Sequence, residues 1–150
     1  MTDIYQHNYL TAKELQINSW KTELKQIKKM QKEKDVVILA HYYVDGAVQE
    51  IADYVGDSFY LSKVATQVTQ QNILFCGVSF MGESAKILNP EKTVLMPDLQ
   101  ADCPMAHMAD IDRIKKVRET YEDVAVVCYI NSTAELKEYS DVMRDICECS

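Results

Sequence analysis

Four short apolar runs set the terms for this chain: "VVILAHYY" at 36–43, "NILFCGV" at 72–78, "TVLMP" at 93–97 and "VAVVCYI" at 124–130. Rich in β-branched residues and without polar alternation, they have the pattern of strands buried on both faces. The segments between them carry apolar residues at helical spacing. Strands alternating with helices require crossovers, and crossovers between neighbouring strands are right-handed and give a parallel sheet. The sequence therefore predicts an α/β fold, a three-layer α/β/α domain with a short parallel sheet.

The helices can be placed by spacing. Thr11 with Glu14 has the form of a capping box, and Ile17, Trp20, Leu24 and Ile27 continue it as an amphipathic helix over about 11–33. Val48, Ile51, Ala52 and Val55 predict a second helix stopped by Gly56. Leu61, Val64, Ala65 and Val68 predict a third, capped by Asp57 or Ser58. Met81, Ala85 and Leu88 predict a fourth, ended by Pro90, and Ile111, Ile114 and Val117 a fifth. No repeat, low-complexity tract or Gly/Ser linker interrupts the pattern. The helix at about 106–121 is the best place for a boundary, with residues 1–110 as a first domain and 111–150 as the start of a second.

Composition narrows the class. The chain has 150 residues, 47% of them hydrophobic and 26% charged, as in soluble globular proteins. Its net charge of −7 argues against a nucleic-acid or anionic-membrane partner while permitting a local pocket for a small anion. No apolar run approaches the roughly 18 residues of a membrane span. The stretch "MTDIYQHNYL" lacks the basic and apolar segments of a secretory signal, so a cytoplasmic location is expected. In that compartment the five cysteines are expected to be thiols, metal ligands or buried fillers rather than disulfides.

In open parallel sheets ligands sit outside the carboxyl ends of the strands, and the unusual polar residues cluster there. His41, Tyr42 and Tyr43 follow the first run, "GVSFMGES" the second, "PDLQADCPMA" the third, and Tyr129 and Asn131 the fourth. Each has a structural alternative. His41 can be a hydrogen-bonded histidine, Tyr42 and Tyr43 half-buried aromatics, Ser58 a helix cap, and Asn131 part of a turn. Glu83 and Lys86 can be a solvated helix pair. Yet a helix start such as that near Ser58 also attracts anions. Cys76 and Cys128 sit in apolar strands and read as small buried hydrophobes. Cys103 lies in an irregular loop at the ligand edge, where a reactive thiol or metal ligand is equally plausible.

Taken in order, "ILAHYY", "IADYVGDS", "CGVSFMGESAKILNPEKTVLMPDLQADCPMA" and "CYINSTAELKEYSDV" resemble the quinolinate synthases of NAD biosynthesis, over about residues 20–142. The resemblance implies an enzyme that condenses iminoaspartate with dihydroxyacetone phosphate to form quinolinate. It also implies a functional link to the L-aspartate oxidase that supplies iminoaspartate. Three similar α/β domains are expected, each giving one cysteine to a 4Fe-4S cluster whose open iron acts as a Lewis acid. Residue by residue, Cys103 matches the first cluster ligand, and His41 and Ser58 match residues that hold the substrate carboxylate end. Tyr43 matches the tyrosine assigned to proton transfer, and Tyr129 and Asn131 match further substrate contacts. No cluster role is implied for Cys76 or Cys128.

Family chains are about twice as long and take their other two ligand cysteines from the part beyond this sequence. The expectation for 150 residues alone is no cluster and no quinolinate synthesis. The tail "MRDICECS" stands where the family has a strand leading into Thr-Ser-x-Asn-Ala. A one-nucleotide shift in a permitted codon set converts this tail to Cys-Val-Thr-Ser-Ala-Asn-Ala, so residues 143–150 are expected to be read out of frame. Two alternatives remain. One is a non-catalytic fragment that binds a dicarboxylate or phosphate weakly. The other is a small thiolate metal-binding protein using Cys103, Cys147 and Cys149.

Overall fold

A computed structural model describes residues 12–145, with side chains from residue 19 onward. Thr11, Cys147 and Cys149 lie outside the described residues, as do the side chains of Glu14 and Ile17. Helix α1 (Ala12–Glu33) belongs to one compact unit, and the described chain from Asp35 onward to a second. Along α1, Trp20, Leu24 and Ile27 are among the less exposed residues, as their spacing predicts.

The second unit is built on a four-stranded, wholly parallel sheet flanked by helices, the expected three-layer α/β/α arrangement. Its strands are β1 (Val36–His41), β2 (Tyr54–Gly56), β3 (Asn72–Cys76) and β4 (Thr93–Leu95), in the spatial order β2-β1-β3-β4. The register pairs His41 with Gly56, Ala40 with Cys76 and Leu74 with Leu95. Helices α2 (Gly46–Ile51), α3 (Ser58–Gln67) and α4 (Ser79–Leu88) make the crossovers.

Alternation along the strands sends Val37, Leu39, Ile73 and Phe75 to one face. There they form the core with Leu61, Val64 and Ala65 of α3 and Phe80, Met81 and Ala85 of α4. Ile38 and Ala40, on the opposite face of β1, are buried too, which is why that strand reads as a continuous apolar run. Fully burying each large side chain of this set stabilises the fold by about 1.5–3 kcal/mol before entropy is counted.

Two elements depart from the spacing. Val55 and Gly56 belong to β2 rather than to a helix, and α2 stops at Ile51. The cause is Asp53. Its carboxylate accepts the Ile38 N–H at 2.9 Å and its own N–H donates to the Ile38 carbonyl at 2.8 Å, turning the chain back onto β1. Ser58 is the first helical residue of α3, and the cap is Asp57, whose carboxylate accepts the Tyr60 N–H at 2.7 Å.

Beyond the first sheet, α5 (Ile111–Thr120) precedes a small β5–α6–β6 unit of Val127–Tyr129, Ala134–Glu138 and Val142–Arg144. Strand β6 overlaps the place where the family resemblance implies a strand; with β5 it forms a parallel two-stranded sheet, Val127 opposite Val142 and Tyr129 opposite Arg144. Asp141 sets that register: its carboxylate accepts the Val126 N–H at 2.8 Å and the Arg118 guanidinium at 2.6 Å. No described helix is long and apolar enough to cross a membrane.

Candidate functional site

In the order β2-β1-β3-β4 the chain leaves β1 toward one side and β3 toward the other, so a crevice opens between their carboxyl ends. His41, the last residue of β1, stands at that point. Facing it is Gly77, just after β3, where an added Cβ would lie 3.6 Å from the His41 Cβ and 3.0 Å from the Met81 sulfur. A side chain at 77 would press on the Met81 sulfur, while its Cβ would stand at ordinary contact distance from the histidine.

The His41 ring is held on three sides. It stacks on Tyr42 with centroids 4.5 Å apart and meets Tyr43 edge-on at 4.7 Å. Its Nδ1 accepts the Tyr43 N–H at 3.3 Å, which leaves the proton of the neutral ring on Nε2, free to donate outward. Burial pushes the imidazole below its ordinary pKa, and the nearby Asp57 carboxylate opposes this only in part. Tyr43 itself is 80% exposed, with its phenol open to solvent and ligand.

Gln49, a residue the sequence reading passed over, clamps this turn. Its side-chain amide donates to the Tyr42 carbonyl at 3.0 Å and the Val44 carbonyl at 2.9 Å. No sequence signal marks it, since Gln49 stands off the apolar stripe beside Glu50. Ser58, buried at the start of α3, follows β2 by one residue and stands at the positive end of a ten-residue helix.

The cysteine loop is tied to the same edge. At the first position of α4, the Ser79 N–H donates to the Ala101 carbonyl at 2.8 Å and its hydroxyl to Asp102 at 3.0 Å. The Asp102 carboxylate also accepts the Cys103 N–H at 2.8 Å and meets His107 Nε2 at 2.8 Å. These contacts, that from the Cys103 N–H foremost, hold its carboxyl below the ordinary range. Cys103 is partly exposed and packs against the core through its apolar side, while the short 3-10 helix Pro104–His107 follows it.

Cys76 and Cys128 are buried, as their strand positions predict, and burial pushes the Cys76 thiol up, away from the reactive thiolate. Among the described residues no three His, Cys, Asp or Glu side chains converge to hold a metal ion. In its chemistry and partial exposure Cys103 fits a single thiolate ligand position, and the described residues do not complete a set.

Tyr129 is the last residue of β5, in the second sheet, and Asn131 follows two residues on. The Asn131 amide donates to the Tyr129 hydroxyl at 3.1 Å, and its carbonyl oxygen is buried without a hydrogen-bond partner. Both line a cavity of about 290 Å³ with Met105, Met108, Cys128 and Leu136. The structure thus gathers His41, Tyr43 and Cys103 along the edge of the first sheet. Tyr129 and Asn131 connect to that edge through Met105, two residues after Cys103. At the first sheet's edge His41 offers an imidazole N–H donor, Ser58 a helix start and Tyr43 an exposed phenol, groups suited to a small anion, while the Asn131 oxygen in the cavity beside β5 is an acceptor for a ligand donor.

The family model described as quinolinate synthetase A protein matches residues 25–150. A quinolinate synthase of Fusobacterium nucleatum is 72% identical over 116 residues, which cover 77% of this chain and 39% of the relative. One from Clostridium perfringens is 56% identical over 117 residues, 78% of this chain and 39% of the relative. One from Ehrlichia chaffeensis is 50% identical over 122 residues, 81% of this chain and 39% of the relative. The matched region thus spans about 39% of the length of these curated relatives. With a family match over most of its length, and the matching motifs meeting at the switch point of its sheet, this chain belongs to the quinolinate synthetase A family.

Proposed function

We propose that this chain is the first α/β domain, with residues 111–150 as the start of a second, of a quinolinate synthase acting in NAD biosynthesis. The reaction is the condensation of iminoaspartate with dihydroxyacetone phosphate. The observation that carries this reading is the meeting of His41, Gly77, Ser79 and the Cys103 loop at one sheet edge, in a chain 72% identical to a named quinolinate synthase over 116 residues.

In this reading, His41 donates its Nε2–H to a substrate carboxylate, and Ser58 holds the same end at the start of α3. Neutrality suits His41 to the role, since a hydrogen-bond donor that keeps its proton does not compete with the acid–base group. Tyr43, exposed beside it, moves the proton during isomerisation and ring closure. Tyr129 and Asn131 receive the remaining polar groups of the substrate. Cys103 is one thiolate ligand of a 4Fe-4S cluster, which when bound supplies a Lewis acid at its open iron. The enzyme acts in the cytoplasm, beside the L-aspartate oxidase reaction that makes iminoaspartate.

One thiolate does not hold a cubane, so these 150 residues alone are expected to be inactive. Anaerobic reconstitution with iron and sulfide tests this directly: the chain should retain no stoichiometric iron and sulfide and show no thiolate-to-iron absorption. A stable cluster on this chain overturns that part of the reading. In a protein of the relatives' full length that carries this chain, quinolinate should form, and Cys103→Ser should remove both cluster absorption and product.

A further inference from the structure

Glu83 and Lys86 are three apart on α4, yet the structure separates them. Lys86 turns to the loop that follows, donating to the Pro90 and Lys92 carbonyls at 2.9 and 2.8 Å. Glu83 reaches 51 residues along the chain, and its carboxylate accepts the Ala134 N–H at 2.7 Å. Ala134 opens α6, so an anion from the first sheet's helix layer caps the first turn of a helix belonging to the second sheet. The same helix returns a cation. Lys137 donates to the Ser84 hydroxyl and lies over the Phe80 ring at 5.8 Å, both on α4.

Neither β5–β6 nor α6 is sturdy by itself. A two-stranded sheet is marginal in water, and a five-residue helix is far below the length that holds alone. From the end of β5 to the start of α6 runs Tyr129–Thr133, which carries Tyr129, Asn131 and Ser132 of the cavity lining. Its bonds include Ser132 N–H to the Ile130 carbonyl at 2.9 Å, Ile130 N–H to the Arg144 carbonyl of β6 at 2.9 Å, the Cys128 thiol to the Ser132 hydroxyl at 3.2 Å, and the Thr133 hydroxyl accepting the Leu136 N–H at 3.2 Å, all within the β5–α6–β6 unit. Such bonds shape the loop without anchoring it to the first sheet. Glu83 and Lys137 supply that anchor.

We propose that Glu83 and Lys137 form a latch that positions the Tyr129–Asn131 loop against the first sheet's helix layer, making Glu83 a positioning residue that touches no substrate. The link to ligand binding rests on the reading of Tyr129 and Asn131 as substrate contacts; the latch itself does not.

Amide hydrogen exchange on the full 150-residue chain tests it, with quinolinate itself as the binding probe. In Glu83→Ala, exchange at Ala134 and across 129–133 should quicken by about tenfold or more, the scale of a lost charged hydrogen bond. Amides of Leu39 and Phe75 in the first sheet should stay unchanged. Glu83→Gln keeps an acceptor and should restore part of the protection, which a generic packing role would not require. Lys137→Met should loosen the same segment, and Lys137→Arg should retain it. Quinolinate affinity should fall in the order wild type, Glu83→Gln, Glu83→Ala. Unchanged exchange at Ala134 in Glu83→Ala overturns the latch. If that variant unfolds as a whole, Glu83→Gln decides: Ala134 protection equal to wild type or globally lost overturns it. If the wild-type chain alone does not bind quinolinate, the exchange measurements decide the latch by themselves.

Discussion

His41 shows how one residue's chemistry depends on neighbours that are distant in sequence. Tyr43 takes up Nδ1, Tyr42 covers one face, and burial beside Gly77 disfavours the charged ring. A histidine whose folded pKa is lowered contributes stability that is fully present above its unfolded value, about 6.5, and lost as pH falls through the folded one. We therefore expect the His41 ring resonances to titrate below the ordinary histidine midpoint. Asp57→Asn keeps the acceptor that caps α3 while removing the charge that opposes burial, so the midpoint should fall further. NMR titration of both proteins checks this; a midpoint at or above the ordinary value contradicts the neutral donor assigned to His41. That a histidine closes "VVILAH" could be read from the sequence, but its tautomer and neutrality could not, because they depend on the ring's cover.

At the scale of elements, side chains acting as caps and pins decide what periodicity leaves open. Lys92, buried ahead of β4, donates to the Ala65 and Val68 carbonyls at the end of α3. Lys92→Met keeps the volume but leaves these carbonyls without their charged donor, and should destabilise the chain by about 1–3 kcal/mol in thermal unfolding. Asp141 does the equivalent work in the second sheet. Asp141→Ala should speed amide exchange at Val126 and along β5 and β6, leaving β1 and β3 as they were. Helices α3 and α4 were legible because a stripe of apolar residues faces one core. The β2 strand was not: in "ADYVG" a three-residue strand offers too few alternations to register, and Asp53, not hydrophobicity, turns it onto β1. The three-residue β6 is likewise too short to show a period, and only the family resemblance implies a strand there.

For the whole molecule, the apolar surface is conspicuous. Leu99 and Met108 are each 80% exposed and Val127 is 62% exposed, on a chain whose matched region spans about 39% of its relatives. Exposed apolar area of this kind drives association. The isolated 150-residue chain should enhance the fluorescence of a hydrophobic dye and elute larger than a monomer on size-exclusion chromatography with light scattering. A monodisperse monomer without dye binding would contradict this.

The alternation of β1, β3, β4 and β5 with helices and the parallel sheet followed from the linear pattern, since burial on both faces and helical spacing are written in consecutive residues. So did the candidate residues His41, Ser58, Cys103, Tyr129 and Asn131, through motifs matching a known family. Other features existed only after folding. The switch point sets His41 against Gly77, Asp102 binds the Cys103 loop to Ser79, and Glu83 reaches Ala134 across 51 residues. Hydrogen bonds between residues so far apart depend on how the chain returns in space, and no local propensity records that return.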